Sequence, residues 1–165
     1  MNISVDDLLK VLDEEQELTL NAESQQTKKL IDAVPLLGKI AAGSPIFADE
    51  NIESYMPVMP SILSKNSIND LFYLRVCGES MNERIPNNSF VLVKKQEYAE
   101  NDDIVVAIVN GDNEATLKRY HQINDHMIVL KPESNDKSFK EIYIDLKTTD
   151  FLIVGKVIGY YIDNI

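Results

Sequence analysis

Seven short runs rich in β-branched and aromatic residues follow one another between Leu71 and Tyr161, and they constrain the fold more than any other feature. They are Leu71–Val76, Phe90–Lys94, Ile104–Val109, Ala115–Tyr120, Met127–Leu130, Glu141–Ile144 and Leu152–Tyr161. Each has the length and composition of a strand. Asn110-Gly111 is a hairpin signal between two of them, in a tight loop or one extended to Asn113. Few helices fit after residue 35, apart from a turn or two after Ser80. The expected class is mainly β, a domain of short twisted strands. No internal repeat or low-complexity tract interrupts the pattern.

The start of the chain reads differently. Residues 4–17 carry a helical stripe of Val5, Leu8, Leu9 and Leu12, with Ser4 as N-cap and Asp7 three residues on. Glu14 to Lys29 is polar and mixed, and reads as a linker. A length of 165 residues suits one domain plus an extension. No apolar run approaches the ~18–20 residues of a membrane helix. Met1-Asn-Ile-Ser-Val-Asp-Asp7 lacks the basic and apolar parts of a signal peptide. The single cysteine excludes an internal disulfide and any multi-cysteine metal site. The expected location is therefore cytoplasmic. A net charge of −11 argues against this chain holding DNA phosphates by itself.

Three stretches carry residues capable of chemistry. In Val76-Cys-Gly-Glu-Ser-Met81 an apolar run breaks at Gly78 and places a hydroxyl, Ser80, two residues past the break. Fixed backbone at a strand-to-turn corner exposes such a serine as a nucleophile, although a serine after glycine is ordinarily a turn residue. The strand around Lys118 supplies an amine. A lysine accepts a proton only when neutral; its reference pKa is about 10.4, and apolar burial lowers it by up to several units. Alternation puts Thr116, Lys118 and Tyr120 on one face and Ala115, Leu117 and Arg119 on the other. It does not say which face is buried, and a solvated lysine is the ordinary reading. Ile40-Ala-Ala-Gly-Ser-Pro45 is small enough to enter a narrow cleft, and Pro45 restricts Ser44 to extended backbone. A plain loop has the same composition.

Other residues read as structural. Cys77 beside an apolar strand has the character of a small core residue. His121, His126 and nearby Asp125 lack the spacing of a zinc site and read as loop residues. Glu79 and Glu83 read as surface charges, and Met81 as a packing residue of the Ser80 turn.

Taken together, Gly78-Glu-Ser-Met81, the Glu114-Ala-Thr-Leu-Lys-Arg119 strand, Ala41-Ala-Gly43 and Leu130-Lys-Pro-Glu-Ser-Asn135 resemble the LexA/CI/UmuD family of self-cleaving Ser-Lys peptidases. Gly43 precedes Ser80 by 37 residues, and Ser80 precedes Lys118 by 38. The resemblance covers roughly Leu36 to Ile162. It implies a LexA-like peptidase fold over 35–165, with a cleavage loop at about 38–48. Ser80 is then the nucleophile and Lys118 the general base. The bond cut is Ala42–Gly43, and backbone N–H groups of Glu79 and Ser80 form the oxyanion hole. No metal or cofactor is implied.

The same resemblance implies a homodimer built through the C-terminal strand region, where an apolar strand with an open edge pairs readily. An interior strand has the same sequence. Asn2–Leu9 resembles the end of a Cro/CI-type helix-turn-helix domain, so residues 1–34 are expected to be its remnant plus a linker. The implied whole is a repressor of the DNA-damage (SOS) response, touching operator DNA through a missing N-terminal domain and triggered by a RecA filament. A UmuD-like subunit of a translesion polymerase and a non-catalytic dimerisation module are the alternatives. A signal peptidase shares the chemistry but needs a membrane anchor.

Overall fold

The computed structural model describes residues 32–38, 48–110 and 115–162, together with Lys10 and Glu14. Of the helix expected over 4–17, only those two residues are described; both are helical and exposed. The rest of that helix, the linker and the Ala42–Gly43 bond lie outside the described residues.

The architecture is mainly β, as the residue pattern requires. Nine strands form one sheet: β1 Ala33–Leu37, β2 Ile52–Pro57, β3 Leu71–Arg75, β4 Phe90–Lys95, β5 Ile104–Val109, β6 Thr116–Gln122, β7 Met127–Lys131, β8 Ile142–Asp145 and β9 Phe151–Tyr161. Their order is β2-β1-β3-β4-β9-β5-β6-β7-β8. All described pairings are antiparallel except β1 with β3. No helix among the described residues is long and apolar enough to cross a membrane.

Continuous apolar runs form these strands because several are covered on both faces. In β5, Val106 and Ile108 join a core with Phe72, Val91, Val93, Met81 and Ile85, while Val105, Ala107 and Val109 join a second core with Ile128, Leu130 and Ile144. In β4, Phe90 and Leu92 turn instead toward Val34, Leu36, Leu71 and Tyr73. At about 25 cal/mol per Å² of apolar surface removed from water, such burial is the main force holding the sheet.

Two strands were not expected, for different reasons. β1 contains Pro35, which argues against a strand. It is tolerated because parallel pairing with β3 begins only at Leu36, opposite Tyr73. β2 forms one edge of the sheet and is largely exposed, so it carries no apolar alternation. The expected helical turn after Ser80 is a set of tight turns closed by the Arg84 and Ile85 N–H groups on the Met81 carbonyl. The one short α-helix after residue 35 among the described residues is Pro60–Leu63, with 3-10 turns at Asp49–Asn51 and Ile68–Asp70.

β9 is an interior strand. It lies between β4 and β5, and β2 and β8 are the sheet edges. β5 accompanies only Phe151–Lys156, so Val157–Tyr161 pair with β4 alone. Gly155 sits at the irregular crossing of these pairings. A Cβ there would stand 2.5 Å from the Lys94 carbonyl oxygen.

Candidate active site

Ser80 lies in the turn that joins β3 to β4. Gly78 makes the turn possible: its φ is +112°, which an L side chain rarely adopts. The near side of the turn is moored to the start of β4. Val76 N–H donates to Ser89 O at 2.8 Å, Asn88 N–H to Val76 O at 2.9 Å, and Gly78 N–H to Asn87 Oδ1 at 2.9 Å. Met81 and Ile85, 1% and 2% exposed, anchor the turn in the core. Met81 is thus a packing residue, as its place in the sequence suggested.

Lys118 reaches the same point from β6. It is 7% exposed. Its Nζ donates to Ser80 Oγ at 2.9 Å, to Thr116 Oγ1 at 2.8 Å and to the Leu117 carbonyl at 3.0 Å. An ammonium has three N–H donors, and here all three have acceptors. Burial lowers the Lys118 pKa to about 8. The question that alternation left open is answered by the fold: the Lys118 amine is buried.

The third component is the turn after β7. Glu133 N–H donates to the Ser80 carbonyl at 2.9 Å, and the Glu133 carbonyl accepts from Glu83 N–H at 3.0 Å. Asn135 N–H donates to Asn82 Oδ1 at 3.0 Å, and Asn82 Nδ2 donates to Asn135 Oδ1 at 2.9 Å and to Glu79 Oε2 at 3.0 Å. Arg119, next to Lys118, grips the Glu133 carboxylate with Nε and Nη2, both at 2.8 Å. The hydrogen bond to Arg119 holds the Glu133 carboxyl below its usual range, and the same bond raises the Arg119 pKa.

A cleft of about 310 Å³ opens beside Ser80, walled by Gly38, Val76, Cys77, Gly78, Ala115 and Thr116 among others. Glu79 and Ser80 donate their backbone N–H groups to no acceptor among the described residues. Cys77, expected as a small core residue, is instead exposed on the cleft wall, because it follows the end of β3. His126 is in the turn before β7, but His121, expected in a loop, sits on β6, which runs on to Gln122; neither lines the cleft. Thr116, Glu133, Asn82 and Asn135 were not singled out as site residues by sequence. Their only signal was proximity to motifs: Thr116 two before Lys118, and Glu133 and Asn135 within Leu130–Asn135.

The fold and the cleft are those of a peptidase-type domain. Residues 35–158 match the family described as Peptidase S24-like, and the chain belongs to that family. It is 45% identical over 126 residues to a LexA repressor of Petrotoga mobilis, covering 76% of this chain and 58% of that protein. It is 43% identical over 139 residues to a LexA repressor of Geobacillus sp. strain WCH70, covering 84% and 62%. A LexA repressor of Clostridium kluyveri is 44% identical over 140 residues, covering 84% and 63%. The chain thus spans about three fifths of the length of these relatives.

Proposed function

We propose that this chain is the self-cleaving C-terminal part of a LexA-type repressor, in which Ser80 attacks the Ala42–Gly43 bond of its own chain with Lys118 as general base. The observation that carries the reading is the 2.9 Å contact between Lys118 Nζ and Ser80 Oγ, made by a buried amine with a pKa near 8. A serine hydroxyl is a weak nucleophile until a base takes its proton. When Lys118 loses a proton, one of its three contacts must become an acceptor contact. Leu117's carbonyl cannot donate, so the lone pair faces a hydroxyl, and Ser80 O–H can then donate to Nζ.

As Ser80 Oγ bonds to the Ala42 carbonyl carbon, its proton passes to Nζ. The carbonyl oxygen takes the negative charge and is stabilised by the N–H groups of Glu79 and Ser80. Collapse breaks the C–N bond, and the Lys118 ammonium returns its proton to the Gly43 amine. Water, deprotonated in turn by Lys118, hydrolyses the Ala42–Ser80 ester and frees the hydroxyl.

Delivery of the bond is supported by the sheet. β1 runs parallel to β3 with Leu37 opposite Leu74, and Gly38 lines the cleft that holds Ser80. β1 therefore runs up to Gly38 in the direction that β3 takes toward Ser80. The offset between paired residues, 37, is also the separation of Gly43 from Ser80. The cleft has room for the small side chains of alanine and glycine.

Relatives named LexA repressor support a part in repression. The family resemblance adds a homodimer, operator binding through a DNA-binding domain, and a RecA filament in the DNA-damage response. A filament that stabilised the docked cleavage segment would speed cleavage by shifting its population. The test is intact-mass measurement of the purified chain after incubation from pH 7 to pH 10. Fragments 1–42 and 43–165 are expected. A cut elsewhere removes the bond assignment, and a chain inert at every pH removes the activity.

A further inference from the structure

The Ser80 turn has two moorings. One, at the start of β4, is the set of bonds from Val76, Gly78 and Asn88. The other is Glu133. Its main chain bonds the turn on both sides, to the Ser80 carbonyl at 2.9 Å and the Glu83 N–H at 3.0 Å. Its carboxylate takes the two-pronged grip of Arg119, whose remaining nitrogen donates to the Asp102 carbonyl. Arg84 Nε stands 3.6 Å from Glu133 Oε2 on the turn side. One residue therefore holds the backbone of Ser80 by its main chain and the strand of Lys118 by its side chain.

We infer that Glu133 is a positioning residue for the Ser80–Lys118 pair, a strap that fixes the Ser80 turn against β6 at hydrogen-bonding distance. The inference rests on the catalytic reading above. Two features of the strap suit that task. A bidentate Arg–carboxylate pair is planar and directional, and constrains orientation as well as distance. The two side chains are 21% and 23% exposed, so the pair is shielded from much of the screening that weakens surface ion pairs. The Asn82–Asn135 amide pair braces the same two turns farther along, but it makes no link to β6.

The strap separates fold from alignment. Glu133→Gln leaves the main-chain bonds to Ser80 and Glu83 in place, and the β4 mooring is untouched. What is lost is the charged fork to β6, so the turn stays folded while the Oγ–Nζ distance loosens. Misplacement of a reacting group by about 1 Å is enough to cost on the order of a hundredfold in rate.

The experiment is the pH profile of self-cleavage for wild type, Glu133→Gln, Arg119→Lys and the double variant, with circular dichroism and thermal melting alongside. Positioning predicts that the high-pH plateau, where Lys118 is neutral throughout, falls about tenfold or more in each single variant. The double variant falls no further than the worse single one, because both break the same link. A plateau at the wild-type level in a folded variant overturns the inference. So does a shifted midpoint with an unchanged plateau, which assigns Glu133 an electrostatic role only. Should Glu133→Gln fail to fold, Arg119→Lys, which keeps the charge but loses the fork, decides by the same criterion. Ser80→Ala serves as control. An inert wild type, or cleavage surviving Ser80→Ala, counts against the proposed function. An active wild type with an unchanged Glu133→Gln plateau counts against the strap alone.

Discussion

Thr116 Oγ1 accepts a hydrogen bond from Lys118 Nζ at 2.8 Å. Two residues apart on β6, the side chains lie on one face. The hydroxyl helps hold the amine in its buried position near Ser80, and that burial lowers its pKa to about 8. The neutral fraction is then about one tenth at pH 7, one half at pH 8 and nine tenths at pH 9. The rate of self-cleavage is expected to rise roughly tenfold from pH 7 to pH 9 and level off above it. Lys118→Ala should be flat and near zero throughout. A wild-type rate that peaks near pH 6–7 and falls above would point to a histidine and remove Lys118 from the mechanism.

The same burial makes the fold's stability depend on pH. The folded pKa lies below the unfolded value of 10.5. Between about pH 8 and 10.5 the unfolded chain therefore holds a proton that the folded chain does not, and stability rises with pH in that window. The penalty for burying the ammonium is present in full below pH 8. Lys118→Met removes the titration. In denaturant melts run in a Ser80→Ala background, which does not cleave, the protein with Lys118 should gain on the one with methionine there as pH rises from about 8 to 10.5. A constant difference would show that the amine does not titrate there.

Ser80→Ala should abolish cleavage, and Cys77→Ala should leave it, because the amine of Lys118 bonds Ser80 Oγ. Cys77 lies on the cleft wall without such a partner among the described residues. Since the cleavage segment is part of the same chain, the first-order rate constant should not change over a hundredfold range of protein concentration. A rate proportional to concentration would show cleavage between chains.

Gly43→Asp is expected to block cleavage while leaving the far-ultraviolet spectrum and melting temperature unchanged. A charged side chain at the scissile bond crowds the approach of Ser80, which a glycine, having no Cβ, allows. Wild-type cleavage by this variant would place the cut elsewhere.

Three glycines separate steric from conformational need. Gly155→Ala should destabilise by about 2 kcal/mol, because the new Cβ meets the Lys94 carbonyl, which cannot move without disturbing β4. Gly78→Ala has open space but a φ of +112°, and should cost about 1–3 kcal/mol. Gly159→Ala meets nothing within 4 Å at an ordinary φ and should change stability by under about 0.5 kcal/mol. Denaturant midpoints of the three variants check the order.

Much of the sheet was legible because strand burial leaves a local trace. β3 through β9 begin and end within two residues of the apolar runs that announce them. The two strands that were missed lack that trace. β2 is an exposed edge, and β1 carries a proline that its position in the pairing tolerates. The glutamate that ties the two halves of the site together showed only as a member of the Leu130–Asn135 motif, with no sign of its role. Glu133 reads as one charge in a turn until the fold brings Arg119 to it.

The sequence by itself determined the class of fold, since runs of β-branched and aromatic residues separated by turn residues have few other ways to bury their side chains. It also supplied the motifs that the Peptidase S24-like match later placed in a family. Only the tertiary structure decided that β9 is interior, that Lys118 is buried, and that Ser80, Lys118, Thr116 and Glu133 meet. Strand formation depends on neighbours a few residues away. The meeting of these four residues depends on pairings between segments dozens of residues apart, and the Lys118 pKa depends on how completely those pairings exclude water.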